Sequence, residues 1–201
     1  KITDTSDFSN QFNAIDINKM PLVDQDTAKQ LGDKQIGRVQ GLGSQFDISN
    51  EYLLINIKDT VYRVSSLEYQ DFYKWIQNRN IGVPSYVSVN VNDPTDVELI
   101  DLKEGMKYVP SAFFNEDLLR HVRFKYRNEM FESMNFEIDD AGNPYYIITY
   151  KEPTIGWFGG WDTTGLIVVN AVNGEMEKYS VDEAPDWIDH IQSANLAWYQ
   201  I

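Results

Sequence analysis

"LIVVNAVNGEMEKYS", residues 166–180, is an apolar run, an Asn173-Gly174 pair and a second run in which polar residues alternate. Asn-Gly between two such runs is the strongest short-range hairpin signal, because both central residues of a type I′ turn need φ > 0. Ile167, Val168 and Val169 form one arm, and Met176, Lys178 and Ser180 the other. Upstream, "YVSVNVNDPTDVELI" at 86–100 repeats the design with a β-branched strand, a turn of Asn92, Asp93 and Pro94, and a second strand through Val97 and Leu99. The opening stretch is therefore read as the closing hairpin of the second copy of a duplicated unit.

The match extends backwards. "FDI" at 46–48 pairs with "FEI" at 136–138, "VYRVSS" at 61–66 with "YYIITY" at 145–150, and "VSVN" at 87–90 with "IVVN" at 167–170. The offsets drift from 90 through about 84 to 80 residues, as gain and loss of loop residues after an old duplication would produce. The boundary between copies falls near Gly105 to Pro110, giving units at 1–105 and 106–201.

Each copy opens with a helix. In the second, Asn115 reads as the N-cap, Glu116 and Asp117 occupy the first turn, and Leu118, Leu119, Val122 and Tyr126 repeat at helical spacing. In the first, Asp24 or Asp26 caps a segment with Ala28, Leu31 and Ile36 before Gly37. Two capping boxes predict further helices: Ser65 with Glu68 ahead of Tyr69, Phe72, Tyr73 and Ile76, and Ser180 with Glu183 ahead of Trp187, Ile188 and Ile191. Strands mixed with separate helices, without βαβ alternation, predict an α+β fold with antiparallel sheets.

A helix followed by an antiparallel meander ending in "VVNAVNGEMEKYS" resembles the PepSY domain, whose last hairpin carries a related V-D-x-x-x-G-E turn. Val169, Asn170, Asn173, Gly174 and Glu175 carry the resemblance, and two copies span about 25–101 and 111–181. The first copy departs from the pattern at Asp93-Pro94 and by an inserted helix at about 66–79, and the second by the long loop at 151–165. The chain, 111–147 above all, is also similar to extracytoplasmic segments of Gram-positive membrane proteins. The resemblance implies a non-catalytic module outside the cytoplasmic membrane that binds or restrains a partner.

Bulk composition is consistent with this. With 201 residues the chain buries roughly 70% of its unfolded surface on folding, and 42% apolar residues exclude a disordered chain. The net charge of −14 argues against nucleic acid, whose binding depends on Lys and Arg releasing counterions. Without cysteine there is no disulfide, thiolate chemistry or Cys-ligated zinc. No apolar run reaches the length of a membrane span, and because the chain starts at Lys1 it is expected to be an excised or processed segment of a longer protein, with any membrane tether lying elsewhere.

The residue types that carry chemistry are sparse. His121 and His190 belong to no H-E-x-x-H or other ligand pair; His121 reads as part of the basic helix end and His190 as a surface partner of Asp186. There is no G-x-S-x-G, and "GRVQGLGSQ" at 37–45 lacks the G-K-[ST] of a phosphate loop, so it reads as a helix end and turn. Asp139-Asp140 before Ala141-Gly142-Asn143-Pro144 reads as a strand-joining turn, since it lacks the spacing of a calcium loop. No cofactor, metal site or catalytic residue is expected.

Two segments remain as recognition sites. "GWFGGWDTTG" at 156–165 sets Trp157, Phe158 and Trp161 among four glycines, and the rings either fold back over the open face of the sheet or stand on the loop, where they would anchor a protein or a sugar. Arg120, Arg123, Lys125 and Arg127 gather positive charge in an acidic chain, either to complement the helix dipole or to dock an anionic surface. The sequence thus predicts a non-enzymatic extracytoplasmic binding or regulatory module recognising a protein or cell-wall polymer. The alternatives are a hydrolase of carbohydrate or peptide using two carboxylates, for which 31 acidic residues give no discrimination, and a structural spacer.

Overall fold

A computed structural model describes residues 23–57, 60–153, 161–185 and 187–188. Among them are three α-helices and two antiparallel sheets, a mixed α+β fold. Helix α1 (Gln25–Ile36) precedes β1 (Phe46–Ile48), β2 (Leu53–Ile57) and β3 (Thr60–Tyr69). Helix α2 (Phe72–Asn78) leads into β4 (Val83–Asn90) and β5 (Val97–Met106). Helix α3 (Leu118–Lys125) is followed by β6 (Met130–Ile138), β7 (Pro144–Pro153), β8 (Trp161–Asn170) and β9 (Met176–Ser180).

The first sheet runs β1-β3-β4-β5 with β2 also on β3, and the second runs β6-β7-β8-β9. Because β1 and β2 lie end to end along one edge of β3, both sheets are four-position meanders preceded by a helix. Their turns correspond in detail. Asn90 N–H donates to Asp96 O while its side-chain oxygen takes Asn92 N–H; Asn170 N–H donates to Glu175 O while its oxygen takes Val172 N–H. Val91 N–H then donates to Val61 O, and Ala171 N–H to Pro144 O.

Several expectations are corrected. The hairpin at 166–180 forms, but its turn is not type I′: Gly174 has φ 75° while Asn173 is not left-handed, and Asn170 spans a longer loop by accepting from Val172 and Asn173. "FDI" and "FEI" are not counterparts, since Phe46–Ile48 pairs with the end of β3 whereas Phe136–Ile138 pairs with the start of β7. The cap of α3 is Asp117, whose carboxylate accepts from Arg120 N–H at 2.7 Å, and not Asn115.

Neither capping box caps a helix. Ser65 is fully buried inside β3 and donates to Ser49 O at 3.0 Å, and α2 starts only at Phe72 with Asp71 as its cap. A serine held between ladder partners has no free helix end to cap. Ser180 donates to Glu183 at 2.9 Å, but a short 3₁₀ turn, Val181–Glu183, and then Pro185 follow. Of the apolar positions expected on that helix, Ile188 is buried, Trp187 packs on Tyr145, and Ile191 lies outside the described residues. The first helix forms as expected from Asp24, with Ala28 and Ile36 buried.

One core joins the sheets. Tyr86 meets Phe136 at 5.9 Å between ring centres, Tyr146 OH donates to Ser66 Oγ at 3.1 Å, and the buried cluster runs from Val64 and Val87 to Ile148 and Ile167. Burying residues on both faces explains the unbroken apolar run Leu166–Val169 of β8, and in β4 the burial extends to Ser85 and Ser88.

Candidate functional site

Helix α3 is short and polar, and it is held from outside. Asp117 caps it and forms a parallel bridge with Val109, while Leu118 and Val122 are completely buried. The other face carries Leu119, Arg120, Arg123 and Phe124, which with Arg127 of the turn after the helix and Met134 of β6 line a groove of about 820 Å³. Leu119 and Phe124 are substantially exposed there. Pro110 and Asp117, the two ends of the loop before the helix, close its wall.

Two of the arginines lie on rings. Arg120 sits 5.5 Å from the Phe124 ring and Arg123 4.8 Å from Phe131, and among the described residues neither these two nor Arg127 makes a salt bridge. A guanidinium stacked on an aromatic face is oriented yet keeps its fork of donors for a carboxylate or phosphate. Lys125 belongs elsewhere: its Nζ donates to Met176 O at 2.9 Å, tying α3 to β9. Of the basic cluster expected from sequence, Arg120, Arg123 and Arg127 are brought together and Lys125 is split from them.

Two smaller cavities adjoin the groove. One of about 470 Å³ lies beside Glu51, Leu53, Glu132 and Met134, and one of about 230 Å³ between the sheets is lined by Glu51, Ser66, Glu68 and Tyr146. Met134 borders all three. Burial raises the Tyr146 hydroxyl above its ordinary pKa, only partly offset by its bond to Ser66, so the phenol stays protonated and serves as a donor. Ser66 accepts that proton and is not activated by a base through it, as a nucleophile would need.

The remaining expected sites resolve unevenly. Trp157 and Phe158 lie outside the described residues, and Trp161 opens β8, its backbone opposite Pro153. His121 reaches across to the β8–β9 turn: its Nε2–H donates to Gly174 O at 2.9 Å and its ring lies 4.4 Å from Tyr108. His190 is outside the described residues. Asp139 is consumed by its turn, accepting from Ala141 N–H, Asn143 N–H and the Asn143 amide, with Gly142 left-handed beside it. Among the described residues no group of three or more His, Asp or Glu is placed to hold a metal.

Sequence reasoning missed an aromatic cluster at α2 and the loop before α3, where Phe72, Trp75, Phe113 and Phe114 pack together. The signal was present as Phe113-Phe114 and as Phe72 and Tyr73, but joining them required the tertiary contact. Compared with protein-family models, with curated proteins and with solved structures, the chain matches none.

Proposed function

We propose that the chain is a non-enzymatic binding or regulatory module of a larger surface or membrane protein, acting outside the cytoplasmic membrane. The observation that carries this reading is the open face of α3, where Arg120, Arg123 and Arg127 flank an apolar groove in a chain of net charge −14. Three guanidiniums that form no ion pair among the described residues favour an external anionic partner. That partner is a protein segment or a cell-wall polymer presenting carboxylate or phosphate beside apolar groups, held by charge-assisted bonds and by Leu119, Phe124 and Met134. The mechanism is steric and conformational, without bond chemistry.

The module is read as two tandem PepSY-like units, residues 1–105 and 106–201. This is supported by the matching turns at Asn90 and Asn170 and by an Asp-capped helix ahead of each sheet, at Asp24 and Asp117. A carboxylate-dependent hydrolase is the second reading, supported by Glu51 and Glu68 in the inter-sheet cavity.

The test is a pull-down from membrane and wall fractions of the organism of origin with the parent and an Arg120→Glu/Arg123→Glu variant. A polymer or protein retained by the parent alone supports the α3 groove. Equal retention moves recognition elsewhere, with Trp157, Phe158 and Trp161 next to be substituted. Hydrolysis of a peptide or glycan that disappears in Glu51→Gln/Glu68→Gln would overturn the non-enzymatic reading.

A further inference from the structure

The outer side of the second sheet, turned away from the core that joins the two sheets, carries a pocket of its own. The register Tyr145↔Asn170, Val168↔Glu177 and Leu166↔Tyr179 sets Tyr145, Val168, Asn170, Glu177 and Tyr179 on one side of β7, β8 and β9, while Tyr146, Ile148 and Ile167 alternate toward the shared core. Ile188 is buried on this outer side with Ile147, Leu166 and Val168. Beside it Trp187 meets Tyr145 with ring centres 5.0 Å apart and planes tilted by 40°. The packing does not fill the space: a cavity of about 190 Å³ remains, walled by Tyr145, Tyr179, Trp187 and Pro185, with Glu175 and Glu177 in its lining.

The charge of this pocket is one-sided. Among the described residues no Lys, Arg or His lines it, and neither glutamate forms an ion pair. Neutral groups place the two carboxylates instead: the Asn173 amide donates to Glu175 at 2.8 Å, and the Tyr179 hydroxyl donates to Glu177. Asp139, beside the Tyr145 hydroxyl, adds to the negative charge. Lys178 has the opposite parity on β9, where it pairs with Glu129 and lies over the Tyr150 ring.

We propose that this pocket binds a small, free quaternary ammonium cation, its methyl groups against the rings of Tyr145, Tyr179 and Trp187 and its charge facing Glu175 and Glu177. An aromatic face attracts a cation within about 6 Å of the ring centre, and quaternary ammonium groups are recognised in this way. Because each carboxylate already accepts a hydrogen bond, the pair supplies charge more than directed bonds, which suits a cation that has no N–H to donate. The volume sets the size, since drug-sized ligands occupy about 300 Å³ or more. The acids select a free cation over a phosphate-linked headgroup, whose anion they would repel. The site is separate from the α3 groove and takes a ligand of opposite sign.

Isothermal titration of choline chloride into the chain, at ionic strength held constant with sodium chloride, tests the assignment. The second probe is the neutral carbon isostere of choline, in which a tert-butyl group replaces the trimethylammonium. The parent is expected to take up choline saturably and about tenfold or more tighter than the isostere, since the two share a shape and differ in charge. Trp187→Ala should weaken choline by about tenfold, and Trp187→Phe, which keeps a ring, by clearly less. Glu175→Gln/Glu177→Gln keeps the side-chain shape and should erase most of the preference for choline without lowering the melting temperature. No choline uptake by the parent, equal uptake of the isostere, or parent-like affinity in both Trp187→Ala and Glu175→Gln/Glu177→Gln overturns the proposal. Phosphocholine bound as tightly as choline overturns it too, in favour of a headgroup. Arg120→Glu/Arg123→Glu should titrate with choline as the parent does, so the fate of the α3 groove and the fate of this pocket are read separately.

Discussion

Trp75 and Glu116, 41 residues apart, are joined by a 2.9 Å hydrogen bond from the indole Nε1–H to Oε2, and Arg79 closes the same carboxylate at 3.4 Å while lying 4.8 Å over the indole ring. This contact fastens α2, which belongs to the first sheet's connection, to the loop that launches α3. Glu116 is therefore a tie between two elements and not a first-turn residue of its helix. Removing the acceptor with Glu116→Ala strands a buried indole N–H and should cost about 1–3 kcal/mol. Glu116→Gln keeps an acceptor and should cost clearly less. Urea unfolding followed by tryptophan fluorescence, with equal m-values, distinguishes the two.

The two left-handed turn glycines of the second sheet should respond differently to alanine. A Cβ at Gly142 meets nothing within 4 Å, so only the backbone penalty of about 1 kcal/mol applies. At Gly174, φ 75°, the same atom would fall 2.5 Å from the Tyr108 ring, which is itself packed on His121. Gly174→Ala should lose substantially more stability than Gly142→Ala in thermal melts, and similar losses would contradict the packing of Tyr108 against this turn.

The position of the α3 cap is open to a paired comparison. Asp117→Ala removes the acceptor for Arg120 N–H and should cost about 0.5–2 kcal/mol. Asn115→Ala should be close to neutral, because Asn115 precedes the helix by three residues. A larger loss at Asn115 would restore the longer helix expected from sequence.

Alkaline pH should destabilise the fold through its buried phenols. Burial raises the pKa of Tyr52, with Asp33 adding to it, that of Tyr69, with Glu116 adding, and that of Tyr146 against a partial opposition from Ser66. A raised folded pKa means that this contribution is intact below the unfolded tyrosine value of about 10 and is lost as pH climbs beyond it. Tyrosinate absorbance should therefore rise in two phases, exposed rings first and these buried ones only with loss of secondary structure. A single early phase with circular dichroism unchanged would show these hydroxyls to be accessible.

Acid titration offers the opposite sign. Hydrogen bonds from Thr27 hold Asp24 below its ordinary carboxylate value, and those from Thr95 do the same for Asp93. Their stabilisation is present above about pH 4 and declines as pH falls through the lowered values. Asp24→Asn, which can still accept from Thr27 N–H, should flatten the acid limb of the stability profile while leaving stability at neutral pH nearly unchanged.

What the sequence determined by itself is the set of local hydrogen-bonded devices. Asn90, Asp139 and Asn170 each bond to backbone two to four residues away, so their turns, and the strands these turns join, need no knowledge of the rest of the chain. Asp24 and Asp117 cap by the same short reach, although choosing Asp117 over Asn115 depends on its bridge to Val109. Tertiary structure decided what depends on burial and distance in the chain. Ser65 and Glu68 carry a capping-box pattern, yet both lie in β3, because strand pairing along its edges satisfies more backbone there than a helix start would. The groove exists because packing Leu118 and Val122 inward turns Arg120, Arg123 and Arg127 onto one face opposite Met134. The aromatic cluster of Phe72, Trp75, Phe113 and Phe114 forms where Trp75 and Glu116 meet across 41 residues, and no periodicity within a short window encodes a contact of that separation.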